Sequence, residues 1–220
     1  MKNQSLSILA IAVTGIAITF TACKKQDTVI PEIVLTGDSL SLDLGATYTD
    51  PGYTATDDQD GDIKSSVAVT NEPNTALVNR YEVTYNVSDA AGNAAAAKMR
   101  IVKVKSDLLA GSYDVDDSVS SGPNAGGYTE TITVTQSSTL YNKILMGNFA
   151  GAGASVSVYA TVTGSVITIP AQTPSGLGVS GSVTGTGTYS GSTKSILTLD
   201  YTIDYGSGVK DVGHAIFTKN

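Results

Sequence analysis

The sequence is poor in the residues that most often carry cross-links and chemistry. Its 220 residues include one cysteine, one histidine and no tryptophan, and charged residues make up only 15%. A single cysteine excludes a disulfide within the chain and a thiolate metal site, and His214 alone cannot build a histidine-rich metal site. No Gly-x-Ser-x-Gly motif is present, so a Ser-His-Asp triad lacks its usual nucleophile turn.

Basic residues are scarce relative to acidic ones. The chain has 13 basic and 20 acidic residues, and loss of Lys2 with residues 1–22 would bring the net charge to about −8. Binding to nucleic acid needs clustered cationic charge that displaces counterions. We therefore expect no nucleic-acid partner and no electrostatic attachment to anionic lipid.

Residues 1–22 have the composition of a leader. Apolar and small residues run from Leu6 to Phe20, and no charge falls between Lys2 and Lys24. A charged start, an apolar stretch and small residues before a cleavage point form the pattern of a secretory signal. About 20 uncharged residues could also just span a bilayer, so an uncleaved membrane helix is the alternative.

The end of this leader resembles the bacterial lipoprotein signal. Thr21, Ala22 and Cys23 fit that signal, whereas Phe20 stands where leucine is usual. The resemblance implies cleavage before Cys23 and lipidation of this cysteine, palmitate included, because stable anchoring generally needs more than one acyl chain.

Residues 23–31 are then a short polar tether on a lipoprotein of the outer membrane. Which face of that membrane the protein occupies stays open. Lys24-Lys25-Gln26-Asp27 departs from the acidic run that directs some lipoproteins to the cell surface.

Residues 32–105 alternate between apolar and polar positions. Tyr81, Val83, Tyr85 and Val87 share one face of a predicted strand, and turn residues separate several such short strands. Short strands at this spacing predict a β-sandwich.

The same segment resembles a bacterial immunoglobulin-like repeat related to the hyalin type, as in Bacteroides-type exported proteins. The motifs that carry the resemblance are GATYTDPGYTATD from Gly45, DGDI from Asp60, YEVTY from Tyr81 and DAAGN from Asp89. It implies a sandwich that serves as a spacer or adhesion module and brings no catalytic residues. It also implies that Tyr81 pins a corner of the fold, as a tyrosine does in immunoglobulin domains.

Residues 108–220 are rich in Gly, Ser, Thr and Tyr and show period-two alternation, most clearly at Leu197, Leu199, Tyr201, Ile203 and Tyr205. With the first domain this predicts an all-β protein whose second domain is an antiparallel barrel or sandwich. About eight strands are expected, near residues 112–118, 128–136, 143–149, 155–163, 165–170, 179–189, 195–205 and 211–218.

Four aspartates crowd one predicted turn of the first domain: Asp57, Asp58, Asp60 and Asp62. Carboxylates at this density could bind calcium, although their spacing does not fit the helix-loop-helix calcium loop. Alternatively, aspartates start turns by accepting hydrogen bonds from nearby backbone amides. Calcium is the one cofactor that the sequence suggests.

Two tyrosines of the second domain are candidate ligand-binding residues. Tyr159 lies off the valine face of its strand, and Tyr189 shares a strand face with several glycines that could floor a cavity. Sugar rings stack on exposed aromatic rings, but ordinary packing with the hydroxyl at the rim is the alternative.

Paired carboxylates for glycoside hydrolysis find weak support. Glu130 is the only glutamate of the second domain, with aspartates at 114, 116, 117, 200, 204 and 211. Asp200 and Asp204 alternate outward with threonines, as on a solvated strand face.

The sequence thus predicts a non-catalytic outer-membrane lipoprotein that binds a ligand, for which glycans are the leading class. The alternative is a structural or adhesive envelope lipoprotein that contacts proteins, such as another outer-membrane protein. The first predicts exposed tyrosines on one face or barrel mouth, and the second predicts a continuous exposed edge strand or flat patch.

Overall fold

The computed structural model describes residues 26–153, 155–177, 181–190 and 196–220. This part of the chain is all-β, as the sequence predicts, and its secondary structure otherwise consists of three single 3-10 turns. They are Lys64–Ser66, Asp107–Leu109 and Phe149–Gly151.

Seven strands form a two-sheet sandwich at the N-terminal side. In chain order they are β1 (Glu32–Leu35), β2 (Ser39–Leu42), β3 (Tyr53–Asp57), β4 (Gly61–Asp62), β5 (Ala68–Thr70), β6 (Asn79–Asn86) and β7 (Lys98–Val104). One sheet has the order β1-β3-β4 and the other β2-β7-β6-β5, with β2 and β7 parallel.

The sandwich core follows the alternation of β6. Val83, Tyr85 and Val87 are buried against β1, β3 and β7. Tyr81 is partly buried, and its hydroxyl donates to the Asn74 carbonyl at 2.8 Å. The tyrosine therefore pins the chain that enters its own strand, as the resemblance implies.

A buried arginine joins the two sheets. Arg100 on β7 has no exposed surface, and its Nη1 lies 2.5 Å from Asp50 Oδ1 and 2.6 Å from the Tyr85 hydroxyl. Its other donors reach the carbonyls of Thr36, Gly37 and Gly52. Burial raises the pKa of Asp50, but hydrogen bonds from Tyr85, Gly52 and Arg100 outweigh it and hold that pKa below its usual value.

Eight antiparallel strands close into a barrel. They are β8 (Gly111–Ser121), β9 (Gly126–Gln136), β10 (Lys143–Gly147), β11 (Ser157–Thr163), β12 (Val166–Gln172), β13 (Ser182–Ser190), β14 (Ile196–Gly206) and β15 (Val209–Lys219). Each strand pairs with the next, and β15 pairs with β8 to complete the ring. Of the two architectures that the sequence allows, the structure has the barrel.

The barrel interior is filled according to the alternation. Leu197, Leu199, Tyr201 and Ile203 of β14 are buried, whereas Asp200 on the same strand is exposed. The other strands add branched and aromatic side chains to one cluster. An eight-stranded barrel is just wide enough for such filling or for one small ligand.

The sandwich closes one end of the barrel. Leu44, Val78 and Val104 of the sandwich are buried in the same apolar cluster as the barrel interior. Gly164, between β11 and β12, donates its N–H to the Val78 carbonyl at 2.7 Å. The Tyr189 hydroxyl donates to Gly164 O at 2.8 Å and accepts the Val78 N–H at 3.3 Å. The opposite end of the barrel is therefore the one open to solvent.

Replacing the buried arginine tests its role in the sandwich. We expect Arg100→Ala to lower the free energy of unfolding by about 3 kcal/mol or more, because Asp50 would keep a partly buried charge without its partner. Urea unfolding of the full chain measures this loss.

The matched control is Arg80→Ala. Arg80 pairs with Glu82 on the sandwich surface, where both side chains are 45% exposed, so its loss should cost less than about 1 kcal/mol. Equal losses from the two substitutions would contradict the structural role assigned to Arg100.

Candidate functional site

A cavity of about 460 Å³ occupies the open end of the barrel. Strands β8, β9, β14 and β15 contribute most of its lining, and the β8–β9 connection, the 3-10 turn after β10 and the loop after β12 contribute the rest. The lining residues are Asp117, Val119, Asn124, Tyr128, Thr129, Glu130, Ala150, Gly151, Ala152, Leu177, Tyr201, Ile203, Tyr205 and Asp211. The volume lies within the range of small-molecule sites.

Period-two alternation brings two carboxyl groups into this cavity. Asp117 follows Tyr113 and Val115 on the inward face of β8, and Glu130 precedes Ile132 and Val134 on the inward face of β9. Asp117 pairs across the ladder with Tyr128, two residues before Glu130. Asp117 and Glu130 are therefore diagonal neighbours on one wall.

Asp117 is a buried acid with incomplete hydrogen bonding. The residue is 3% exposed, and its Oδ2 accepts the Tyr201 hydroxyl at 2.6 Å. Its Oδ1 is buried and has no hydrogen-bond partner within the described residues. Burial raises the pKa of Asp117, and the Tyr201 hydroxyl and the Ser118 amide offset only part of that effect.

Tyr201 is held in place by two neighbours in the barrel interior. Its ring lies over Gly213 of β15, where an added Cβ would come within 2.2 Å of the tyrosine Cζ. The Phe149 ring meets it nearly edge-on, with centroids 5.1 Å apart and planes at 70°. Any residue larger than glycine at position 213 would thus displace the hydroxyl that contacts Asp117.

Glu130 has a proton affinity above that of an ordinary glutamate. Burial raises its pKa to about 6, the charge of Asp117 adds to the rise, and a hydrogen bond from the Gly151 backbone opposes it. Asn148 Nδ2 lies 3.4 Å from Glu130 Oε2, a weak contact. The two neighbouring acids consequently disfavour each other's ionised forms.

Asp211 on β15 has a different environment at the rim. Its oxygens accept the Tyr205 hydroxyl at 2.5 Å, the Asn124 amide Nδ2 at 2.7 Å and the Asn124 backbone N–H at 3.1 Å. Burial raises its pKa, but these donors outweigh burial and hold the pKa below its usual value. Burial raises the pKa of Tyr205 to about 12, and the hydrogen bond of its hydroxyl to Asp211 adds to the rise.

The cavity has two chemically different sides. Asp211, Asp117 and Glu130 lie on the consecutive strands β15, β8 and β9, and we call them the acidic wall. The turn and loop residues Ala150, Ala152 and Leu177 are small or apolar. Tyr128 at the mouth is 47% exposed, and its hydroxyl donates to the Asn124 carbonyl at 2.8 Å.

The two tyrosines predicted as ligand residues lie away from this cavity. Tyr159 is half-buried on the outer face of β11, with Lys143 Nζ 4.0 Å from its ring centroid. Tyr189 is 5% exposed at the closed end, where its hydroxyl contacts Val78 and Gly164. Burial against the sandwich leaves no open ring face on Tyr189, and neither tyrosine is among the residues that line the cavity.

The four aspartates predicted to bind calcium act mainly as turn residues. Asp57 Oδ2 accepts the N–H groups of Gln59 and Asp60, and Asp62 Oδ1 accepts that of Lys64. Asp60 Oδ2 reaches the Ala90 N–H at 2.7 Å, and Asp58 is exposed.

Of these four aspartates, only Asp57 belongs to a close acidic group. Its partners there are Asp27 and Asp89, and the three contribute ligand atoms within 4.8 Å of one another. Calcium binding by the four aspartates stays a prediction.

Neither the single histidine nor the single cysteine is among the described residues that line the cavity. His214 is exposed on β15 and lies 2.6 Å from Asp200 Oδ1 on the outer surface. Cys23 lies outside the described residues, so its lipidation stays a prediction. Within those residues, no helix is long and apolar enough to cross a membrane.

Period-two alternation in the sequence is the signal that places two members of the acidic wall. Ile132 and Val134 alternate with threonines along β9, and one more step of the same alternation reaches Glu130. The pattern Tyr113, Val115, Asp117 places Asp117 in the same way. What the sequence could not supply is the pairing of β15 with β8 that adds Asp211 to the wall.

The fold and the cavity define a two-domain all-β protein, an immunoglobulin-like sandwich joined to a closed barrel. Residues 33–104 match the family described as "Bacterial surface protein, Ig-like domain". The resemblance of this segment to a bacterial immunoglobulin-like repeat is therefore confirmed.

Two solved structures are similar to larger parts of the chain. A lipoprotein of Bacteroides thetaiotaomicron is 18% identical over 86% of this chain and 100% of that one, with a TM-score of 0.36. The CBM51-2 and INT domains of Clostridium perfringens ZmpB are 14% identical over 84% of this chain and 47% of that one, with a TM-score of 0.28. No curated protein matches the chain.

The raised pKa of Glu130 predicts a pH dependence of stability. Between the ordinary value of 4.5 and about 6, the folded state binds more protons than the unfolded state, so the free energy of unfolding falls as pH rises. We expect the wild type to lose on the order of 1 kcal/mol more than Glu130→Gln across this range, after allowance for partial exposure. Urea unfolding at several pH values gives the comparison.

The control for this measurement is Glu72→Gln, which makes the same chemical change at an exposed position of the sandwich. It should retain the wild-type dependence on pH. If Glu130→Gln retained it as well, the environment assigned to Glu130 would be incorrect.

Proposed function

We propose that the chain is a non-catalytic binding lipoprotein of the bacterial outer membrane, attached by lipid at Cys23, that takes a glycan into the open end of its barrel. The observation that carries the binding role is the cavity, which is closed below by the barrel core and open to solvent at Tyr128. The family match at residues 33–104 supports an envelope location.

The lining suits a ligand with both hydroxyl groups and an apolar face. Carboxylates and the Asn124 amide accept and donate hydrogen bonds, and the rings of Tyr128 and Tyr205 offer surfaces on which a pyranose can stack. A cavity of about 460 Å³ holds a small molecule or the end of a glycan rather than a long stretch of polymer.

The adhesive alternative finds less support in the second domain. Closure of the barrel removes the free strand edges through which proteins often pair. The exposed tyrosine at the barrel mouth is instead the feature expected of ligand binding.

Hydrolysis is the second candidate function, since Asp117 and Glu130 meet in one cavity with raised pKa values. Glycosidases place their two carboxyl groups on either side of the scissile bond. Here both groups come from neighbouring strands of a single wall, which favours contact with one side of a ligand and hence binding.

Affinity electrophoresis and calorimetry of the full chain in mild detergent test the proposal against a panel of polysaccharides and short oligosaccharides. We expect a retarded band and a measurable dissociation constant for at least one glycan class. Tyr128→Ala should weaken that binding about tenfold, because aromatic anchors dominate such contacts.

The matched control is Tyr159→Ala, which removes a tyrosine from the outer wall and should leave the affinity unchanged. Uniform mobility across the whole panel would overturn the glycan proposal. Release of reducing sugar from a bound glycan, abolished by Glu130→Gln, would favour hydrolysis instead.

A further inference from the structure

The charge of the cavity lining has one sign. The acidic wall contributes three carboxyl groups, and none of the described lining residues is lysine, arginine or histidine. His214 acts on Asp117 only from the outer face of β15, where it pairs with Asp200. Any positive charge that meets the acidic wall inside the cavity must therefore arrive with a ligand.

The three acids differ in how far the protein already satisfies them. Asp211 accepts three hydrogen bonds from Tyr205 and Asn124. Asp117 has one oxygen without a partner, although the residue is 3% exposed. Glu130 has only the weak contact with Asn148 and the nearby Gly151 backbone. The unsatisfied acceptors are thus concentrated at two neighbouring acids.

The three acids of the acidic wall are not grouped closely enough for all of them to hold one metal ion. Within the described residues, the one trio of acids with oxygens inside 4.8 Å of each other is Asp27, Asp57 and Asp89 in the sandwich. Asp117, Glu130 and Asp211 do not form a second such trio. A neutral hydroxyl could donate one hydrogen bond to Asp117, but it would leave the repulsion between Asp117 and Glu130 uncompensated.

A protonated amine can donate a hydrogen bond to Asp117 and also compensate the repulsion between Asp117 and Glu130. An ammonium group carries three N–H donors and a positive charge, so one group can serve both acids. Its carbon skeleton would face the apolar side of the cavity at Ala150, Ala152 and Leu177. The partly exposed ring of Tyr205 adds an electron-rich face of the kind that attracts cations.

We propose that the cavity selects ligands bearing a protonated primary amine, which Asp117 and Glu130 bind, and that an amino sugar is the glycan unit it takes. The part of this proposal that names a sugar rests on the proposed function. The part that names an amine rests on the acidic wall. It deepens the binding role by naming the group that the two acids recognise.

Three sugars that differ at a single ring position separate the two parts. Glucosamine carries an ammonium group, N-acetylglucosamine a neutral amide and glucose a hydroxyl. Calorimetric titration of the full chain in detergent should give at least about tenfold tighter binding for glucosamine, the effect of one charge-assisted hydrogen-bonded pair. Cyclohexylamine, a ring amine without hydroxyls, is the fourth probe.

The outcomes distinguish the amine from the sugar. Equal affinity for all three sugars would keep glycan binding and overturn selection of the amine. Tight binding of cyclohexylamine without binding of any sugar would support the amine and overturn the glycan. Failure of all four probes would overturn both.

Two variants show whether the acidic wall is responsible. Glu130→Gln and Asp117→Asn should each weaken glucosamine binding about tenfold or more and change glucose binding less than about twofold. Each also removes a poorly satisfied buried charge, so each should unfold at a higher urea concentration than the wild type near neutral pH. Weaker amine binding together with higher stability excludes misfolding as the cause.

The matched control is Asp200→Asn, which removes a carboxylate from the outer face of β14. It should retain the wild-type affinity for glucosamine. An equal loss of affinity in this variant would indicate a nonspecific effect of net charge and overturn the assignment to Asp117 and Glu130.

Discussion

Closure of the eight-stranded sheet is the constraint on which the rest of the structure depends. Once β15 pairs with β8, every second residue of each strand must face an interior only wide enough for side chains or one small ligand. The chain fills this interior unequally along its axis. Aliphatic and aromatic side chains pack the end next to the sandwich, whereas carboxyl and hydroxyl groups line the other end. One geometric condition thus produces both the core and the cavity.

The sandwich is more than a spacer, because it forms the floor of the barrel. Val78 bonds to Gly164 and Tyr189, and its side chain belongs to the barrel's apolar cluster. The position of Val78 depends in turn on the sandwich sheets, which Arg100 holds together through Asp50 and Tyr85. These contacts fix the orientation of the barrel relative to the immunoglobulin-like sandwich. The open end of the barrel therefore points away from the sandwich.

The alternation of apolar and polar residues predicts where the strands lie and which side chains face inward. The eight barrel strands and the inward face of β14 follow from local pattern, and the corner at Tyr81 follows from the resemblance to an immunoglobulin-like repeat. Tyr159 lies outside the cavity because it is on the outer face of β11, whereas Tyr189 lies outside it because the alternation does not say which end of the barrel is open. Tyr189 lies on an inward face, but at the end that the sandwich covers. The closure partner of β8 and the Val78 contact join residues far apart in the chain, and no local pattern encodes them.

The acidic wall is an exception in a barrel interior that is otherwise filled by aliphatic and aromatic side chains. An aliphatic residue at position 117 or 130 would continue the alternation and extend the dry core, since buried ionisable groups are costly when their hydrogen bonds are incomplete. The protein instead keeps Asp117 beside Glu130 and fixes Tyr201 with Gly213 and Phe149 so that its hydroxyl meets Asp117. Departures from local consistency concentrate at functional sites. The fixed position of Tyr201 against Asp117, an acid with an incomplete set of hydrogen bonds, is therefore better explained by a ligand that completes the site than by a contribution to stability.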